Sequence, residues 1–141
     1  MIYVDTSVIV ASLAAEEASA LCQEWLGQQN PARLLISDWT ITELSSAFAL
    51  KLRTGQMRLE DRAAALAMFN KLVAESFSLV PVAGVHFRTA AKFVDQHKLG
   101  LRAGDALHLA ITSERGATIF TLDRRIAEAA PSLGVPAELL V

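Results

Sequence analysis

Four carboxylates in this chain, Asp5, Glu43, Asp105 and Asp123, stand where apolar segments give way to polar ones. Asp5 ends the run Ile2-Tyr3-Val4 and is followed by two hydroxyls, Thr6 and Ser7. Glu43 comes shortly after Leu34-Leu35-Ile36, Asp105 heads the apolar stretch Ala106-Leu107-His108-Leu109-Ala110, and Asp123 follows Thr118-Ile119-Phe120-Thr121-Leu122. Two carboxylates about 4 Å apart repel by roughly 4 kcal/mol at an effective dielectric near 20. Four brought together would multiply that repulsion or take up protons, unless a cation shares the site. Hard oxygen donors with no thiolate and no paired histidines favour Mg²⁺ or Mn²⁺ over zinc. The chemistry such a set predicts is in-line attack on phosphorus by a metal-activated water. Asp5 and Asp105 are the expected direct ligands. Glu43 is expected to orient or deprotonate the water, and Asp123 to complete a second metal position or act through water.

Each acid also has a structural use. Asp5 and Asp123 could cap the helices that follow them. Asp105 sits at a helix start, where the macrodipole stabilises a negative charge by ~0.3–1 kcal/mol. Thr40-Ile41-Thr42-Glu43 fits a capping box, yet Ser37 and Asp38 are competing caps that would place Glu43 inside the helix. Both readings stay open for each acid taken alone.

The elements that must position these residues alternate between strand and helix patterns. The first strand ends at Asp5, with Ser7 placed to cap a helix through Val8-Ile9-Val10-Ala11. A second helix is expected over 16–27, a strand at Leu34-Leu35-Ile36, and a long helix from Ser37-Asp38 to about Arg53 with Ile41, Leu44, Phe48 and Leu52 inward. Another follows over 59–75, with Leu59, Ala63, Leu66, Phe69 and Val73 inward. The short link between these two predicts an antiparallel helical hairpin. A strand at 77–82, demoted towards an edge by Pro81, precedes a helix over 85–97 with Phe87, Ala90, Ala91 and Val94 on one stripe. Then come a helix over 105–115, a strand at 117–120, a short helix over 123–130 and a weak final strand. The architecture is α/β around a short parallel sheet, which would bring strand-to-helix junctions, and their acids, to one edge. Within 105–112 the polar residues Asp105, His108 and Thr112 share one face of an otherwise apolar helix.

At 141 residues and 52% hydrophobic, the chain is expected to form one domain over 1–141, and its composition excludes disorder. No apolar stretch reaches membrane-spanning length, and Asp5 comes too early for a signal peptide. The single cysteine, Cys22, allows no internal disulfide, reads as a small core residue and predicts a cytoplasmic location. Thirteen Lys and Arg face fifteen Asp and Glu, so setting the four candidate acids aside leaves a mildly basic remainder.

Taken as a set, Val4-Asp5-Thr6-Ser7, Thr42-Glu43-Leu44, Arg102-Ala103-Gly104-Asp105-Ala106-Leu107-His108-Leu109-Ala110 and Phe120-Thr121-Leu122-Asp123 resemble the PIN-domain nucleases, and in size the chain is most similar to the VapC toxins of toxin–antitoxin pairs. The resemblance implies a PIN-like three-layer sandwich, its short central parallel sheet flanked by helices. It also implies a metal-dependent endoribonuclease with Asp5, Glu43, Asp105 and Asp123 as its acids, Ser7 as a hydroxyl organising them and Thr121 as a weaker candidate for that role or for substrate contact. A VapB-like antitoxin would hold the enzyme silent with a tail, carrying a basic side chain, at the acidic pocket. The RNA substrate rests on this likeness, because the chemistry does not need a 2′-hydroxyl. His108 is expected to serve helix packing or hydrogen bonding. Arg102, Arg124 and Arg125 flank two of the acids and suit phosphate contacts. So apolar a small domain also predicts a homodimer, with the 38–75 hairpin a candidate for either the homodimer or the antitoxin interface.

Two other classes compete. A phosphatase or phosphotransferase would use Asp5 as nucleophile, but Asp5-Thr6-Ser7 lacks the second aspartate two positions on. A non-catalytic binding module would use all four acids as caps.

Overall fold

Ile2-Tyr3-Val4 has no charge to keep it at a surface, and in the computed structural model, which describes residues 1–141, it is the middle strand of a five-stranded sheet. This strand, β1 (Ile2–Val4), pairs with β2 (Leu34–Ser37) on one side and β4 (Thr118–Thr121) on the other, with β3 (Ser78–Val80) and β5 (Ala137–Leu139) at the edges. The spatial order is β3-β2-β1-β4-β5 and every pair is parallel. The chain builds outward from β1 to β3, then crosses back to β4. The carboxyl end of β1 therefore lies where strand order reverses, the place at which open α/β sheets bind ligands.

Side chains alternate across the sheet and divide the interior into two cores. Ile2, Val4 and Ile36 pack under α1 (Thr6–Leu13), α2 (Ser19–Gly27), α3 (Asp38–Arg53) and α4 (Leu59–Glu75), with Cys22 buried among them. Tyr3, Leu35 and Ile119 pack under α5 (Gly84–Asp95), α6 (Ala103–Glu114) and α7 (Arg124–Ala129). The result is the expected three-layer α/β arrangement. No helix is long and apolar enough to cross a membrane.

Several local expectations are corrected. Ser7 does not cap α1 but lies within its first turn, and α2 starts at Ser19, not at residue 16. Ile41 and Leu59 face outward, Leu59 at 66% exposure, because the inner faces of α3 and α4 are carried by Leu44 and Phe48 and by Ala65 and Phe69. α3 and α4 both pack against α1, and Leu44 and Phe48 share one core cluster with Ala65 and Phe69. In α5 only Ala90 of the predicted stripe is buried; Phe87 and Val94 remain exposed beside an apolar groove that also involves Trp39 and Leu107.

Candidate active site

Parallel strands release their carboxyl ends at one edge, and four short departures from that edge assemble the site. Asp5 follows β1 and holds the N-cap position of α1, yet its side chain makes no capping bond. One of its oxygens, Oδ2, accepts instead from Ser7 Oγ at 2.6 Å and Thr121 Oγ1 at 2.8 Å. Ser7 in turn accepts from the backbone N–H of Leu122, and Thr121 from that of Asp123. These two hydroxyls tie α1 to the end of β4 and turn Asp5 into a fixed acceptor. Thr121 is wholly buried behind Asp5, so the expectation that it touches substrate is corrected: it has no surface to offer.

Glu43 is the sixth residue of α3, past its first turn, so it is not the closing residue of a capping box. That box is made by Ser37 and Thr40, whose hydroxyl accepts from the Ser37 N–H. Oε1 of Glu43 accepts from Thr6 Oγ1 at 2.7 Å and from His108 Nε2 at 2.5 Å. Gly104 opens the space for the other oxygen: a Cβ there would stand 2.8 Å from Glu43 Oε2 and 3.2 Å from the Trp39 ring. The buried Trp39 indole N–H has no hydrogen-bond partner of good geometry.

Asp105 occupies the third position of α6, its Oδ2 accepting weakly from the Arg102 N–H at 3.4 Å. Asp123 does cap α7, Oδ1 accepting from the Arg125 and Ile126 N–H groups. All four acids, with Thr6 and Ser7, line one cavity of about 500 Å³. Arg102, Arg124 and Arg125 are exposed in an adjoining depression that Asp123 also borders.

The charges register one another. Burial raises the pKa of Asp105, and Asp123, Asp5 and Glu43 add to the effect, outweighing the Arg102 N–H that opposes it. Burial also pushes the Glu43 pKa up, but the hydrogen bond and charge of His108, with Thr6 and Trp39, pull it below the usual carboxylate value. Burial opposes the charge on His108, yet the Tyr3 oxygen, Glu43 and Asp5 outweigh it and push its pKa up to about 10. The donor set fits a hard divalent cation: Asp5 Oδ1 accepts no hydrogen bond within the chain while Oδ2 takes both hydroxyls, four carboxylates line one cavity, and Asp105 is electrostatically frustrated.

Sequence reasoning did not place Thr6 against Glu43, nor Lys98 in the basic depression with the three arginines. Glu16 at the cavity's far end was also missed. Thr6 stood beside Asp5, a usable signal; Lys98 and Glu16 carry none, being ordinary surface charges in sequence.

An acid-lined cavity at the switch point of a short parallel sheet defines a class of α/β proteins with a cation-ready site. The PIN domain model matches residues 2–131, and the chain belongs to the PIN-domain family. No curated protein matches it in sequence. Among solved structures it is similar in fold to FitAcB from Neisseria gonorrhoeae, at 20% identity and TM-score 0.73 over 99% of this chain and 98% of that one. It is similar as well to the sarcin–ricin loop cleaving toxin VapC20 of Mycobacterium tuberculosis, at 17% identity and TM-score 0.74 over 92% and 95% of the two chains. A third is DNA-bound VapBC from Salmonella typhimurium, at 16% identity and TM-score 0.71 over 99% and 98%.

Proposed function

We propose that this PIN-domain protein is a metal-dependent endoribonuclease, the toxin of a VapBC-type toxin–antitoxin pair acting in the cytoplasm. The observation that carries the reading is the meeting of Asp5, Glu43, Asp105 and Asp123 in one cavity. Asp5, Asp105 and Glu43 would hold Mg²⁺ or Mn²⁺, with Asp123 offering the oxygen not used in capping. A divalent ion bound there supplies charge neutralisation and activation of a water nucleophile for phosphodiester hydrolysis. Ser7 and Thr121 hold one Asp5 oxygen and leave the other free for a cation, and Glu43 would also orient or deprotonate the water. Arg102, Arg124, Arg125 and Lys98 would hold the backbone phosphates of RNA lying beside the cavity.

Support for the toxin reading comes from the fold relatives, among them VapBC complexes and a loop-cleaving VapC toxin. An antitoxin tail with a basic side chain is the partner expected at a cavity this acidic. A homodimer would cover the apolar groove beside Phe87 and Val94, and the 38–75 segment stays available to either partner.

The test is cleavage of structured and single-stranded RNA by antitoxin-free protein in Mg²⁺, Mn²⁺ or chelator. Cleavage that needs metal and disappears in Asp5→Asn and Asp105→Asn supports the proposal. RNA left intact under every metal condition overturns it.

A further inference from the structure

Behind the acidic cavity a chain of polar side chains runs through the interior of the sheet. Ser37 Oγ lies 2.8 Å from the Tyr3 hydroxyl, which lies 2.7 Å from Nδ1 of His108. The opposite ring nitrogen, Nε2, reaches Glu43 Oε1 at 2.5 Å and Thr6 Oγ1 at 3.2 Å. Ser37, Tyr3, His108 and Thr6 are all buried. His108 sits between Leu107 and Leu109 on a helix buried on nearly every side, so a leucine there would pack without needing partners. A polar chain in such a place persists only if each member is satisfied, and a satisfied chain is rigid.

A core histidine that merely satisfies its own hydrogen bonds could end on any backbone carbonyl. His108 ends on a cavity carboxylate. Glu43 is otherwise a side chain with three rotatable bonds on an exposed stretch of α3, and fixing it sacrifices rotamer freedom. Two donors from two other helices, Thr6 of α1 and His108 of α6, converge on its Oε1. Its Oε2 occupies the gap that Gly104 leaves.

We propose that His108, braced by Tyr3 and Ser37, is a positioning residue that holds the Glu43 carboxylate in its working orientation within the acidic cavity. For its catalytic consequence the proposal rests on the metal-dependent nuclease reading, but its geometry does not.

The experiment compares His108→Asn and His108→Gln. An asparagine amide reaches about as far as Nδ1, keeping the Tyr3 contact and losing Glu43; a glutamine amide reaches about as far as Nε2 and keeps Glu43. Mn²⁺ affinity is measured by calorimetry, with thermal unfolding as a check on folding. Losing a hydrogen-bonding partner of a metal-site carboxylate weakens metal binding or activity by about 10–100-fold. Asn and Gln are both uncharged, so the readout is the difference between them: Mn²⁺ binding about 10–100-fold weaker in Asn than in Gln, a difference that disappears in a Glu43→Gln background. Where the wild type cleaves RNA, Asn should lower kcat and leave KM unchanged. Equal affinities in Asn and Gln, or the same difference with and without the Glu43 carboxylate, overturns the proposal. If His108→Asn does not fold, Tyr3→Phe replaces it, removing one oxygen; a loss that vanishes in the Glu43→Gln background supports the proposal, and one that persists there or no loss at all overturns it. Wild-type protein that binds Mn²⁺ but cuts no RNA removes the nuclease reading while the affinities still decide the relay. Protein that binds no Mn²⁺ overturns both.

Discussion

The hydroxyl of Thr121 donates to Oδ2 of Asp5 at 2.8 Å, joining the end of β4 to the end of β1 across 116 residues. The same hydroxyl accepts from the Asp123 N–H, so one buried oxygen aligns two of the four acids. Thr121→Val keeps the shape and deletes the oxygen. A hydrogen bond to a charged group contributes about 1.5–3 kcal/mol, and urea unfolding should show a loss near that range. Mn²⁺ affinity should fall in parallel, since Asp5 loses one of its two supports. Unchanged stability and affinity would mean that Ser7 alone orients Asp5.

Gly104→Ala separates the site from the fold. In a helix, alanine is favoured over glycine by up to about 1 kcal/mol. Here the added Cβ would meet Glu43 Oε2 at 2.8 Å, and the flexible end of Glu43 can move away from it. Moving breaks its alignment with Thr6 and His108. The lost contacts and the Trp39 ring, 3.2 Å from the new Cβ, offset alanine's helix preference, so thermal stability should stay near wild type while metal-dependent cleavage drops at least tenfold. A variant as active as the wild type would show that Glu43 need not stay where it is.

The pH dependence of the metal-free protein follows from His108 and Glu43. Folding raises the His108 pKa to about 10 from an ordinary value near 6.5, so folding takes up a proton there. The stability this contributes is complete below about pH 6.5 and is lost as pH rises towards 10. Glu43 is shifted the other way: its contribution is present above the ordinary carboxylate range and disappears on acidification through its lowered pKa. Asp105, raised by burial and by Asp123, works against folding when ionised, and acidification relieves it. In chelator, the stability advantage of wild type over His108→Gln should shrink steadily between pH 7 and 10. An advantage that grows with pH would contradict a protonated imidazole.

Lys98, Arg102, Arg124 and Arg125 border one depression next to Asp123. If they hold RNA phosphates, each contact removed should flatten the plot of log affinity against log salt by about 0.7 for a single strand. Arg124→Ala is expected to show that change with kcat at saturating RNA unaltered. An unchanged slope would make Arg124 a solvated surface charge.

The α/β alternation was legible in sequence, as was the length of α3, because periodicity and capping residues act over a few neighbours. So was the common edge for Asp5, Glu43, Asp105 and Asp123, since parallel strands must release their chains on the same side. Periodicity fails where packing decides. It shows that α5 has an apolar stripe but not that Phe87 would stay uncovered.

Sequence by itself set which residues could carry charge to the edge of the sheet, because that depends on local chain geometry and residue type. The tertiary structure decided what each charge does there. Asp123 spends one oxygen on a helix end, Asp5 spends none that way, and Ser7 links a carboxylate to a distant backbone N–H instead of capping its own helix. His108 found Glu43 65 residues away. Hydrogen bonds are directional and short, so partners distant in the chain are chosen only when packing fixes the distance and angle between them.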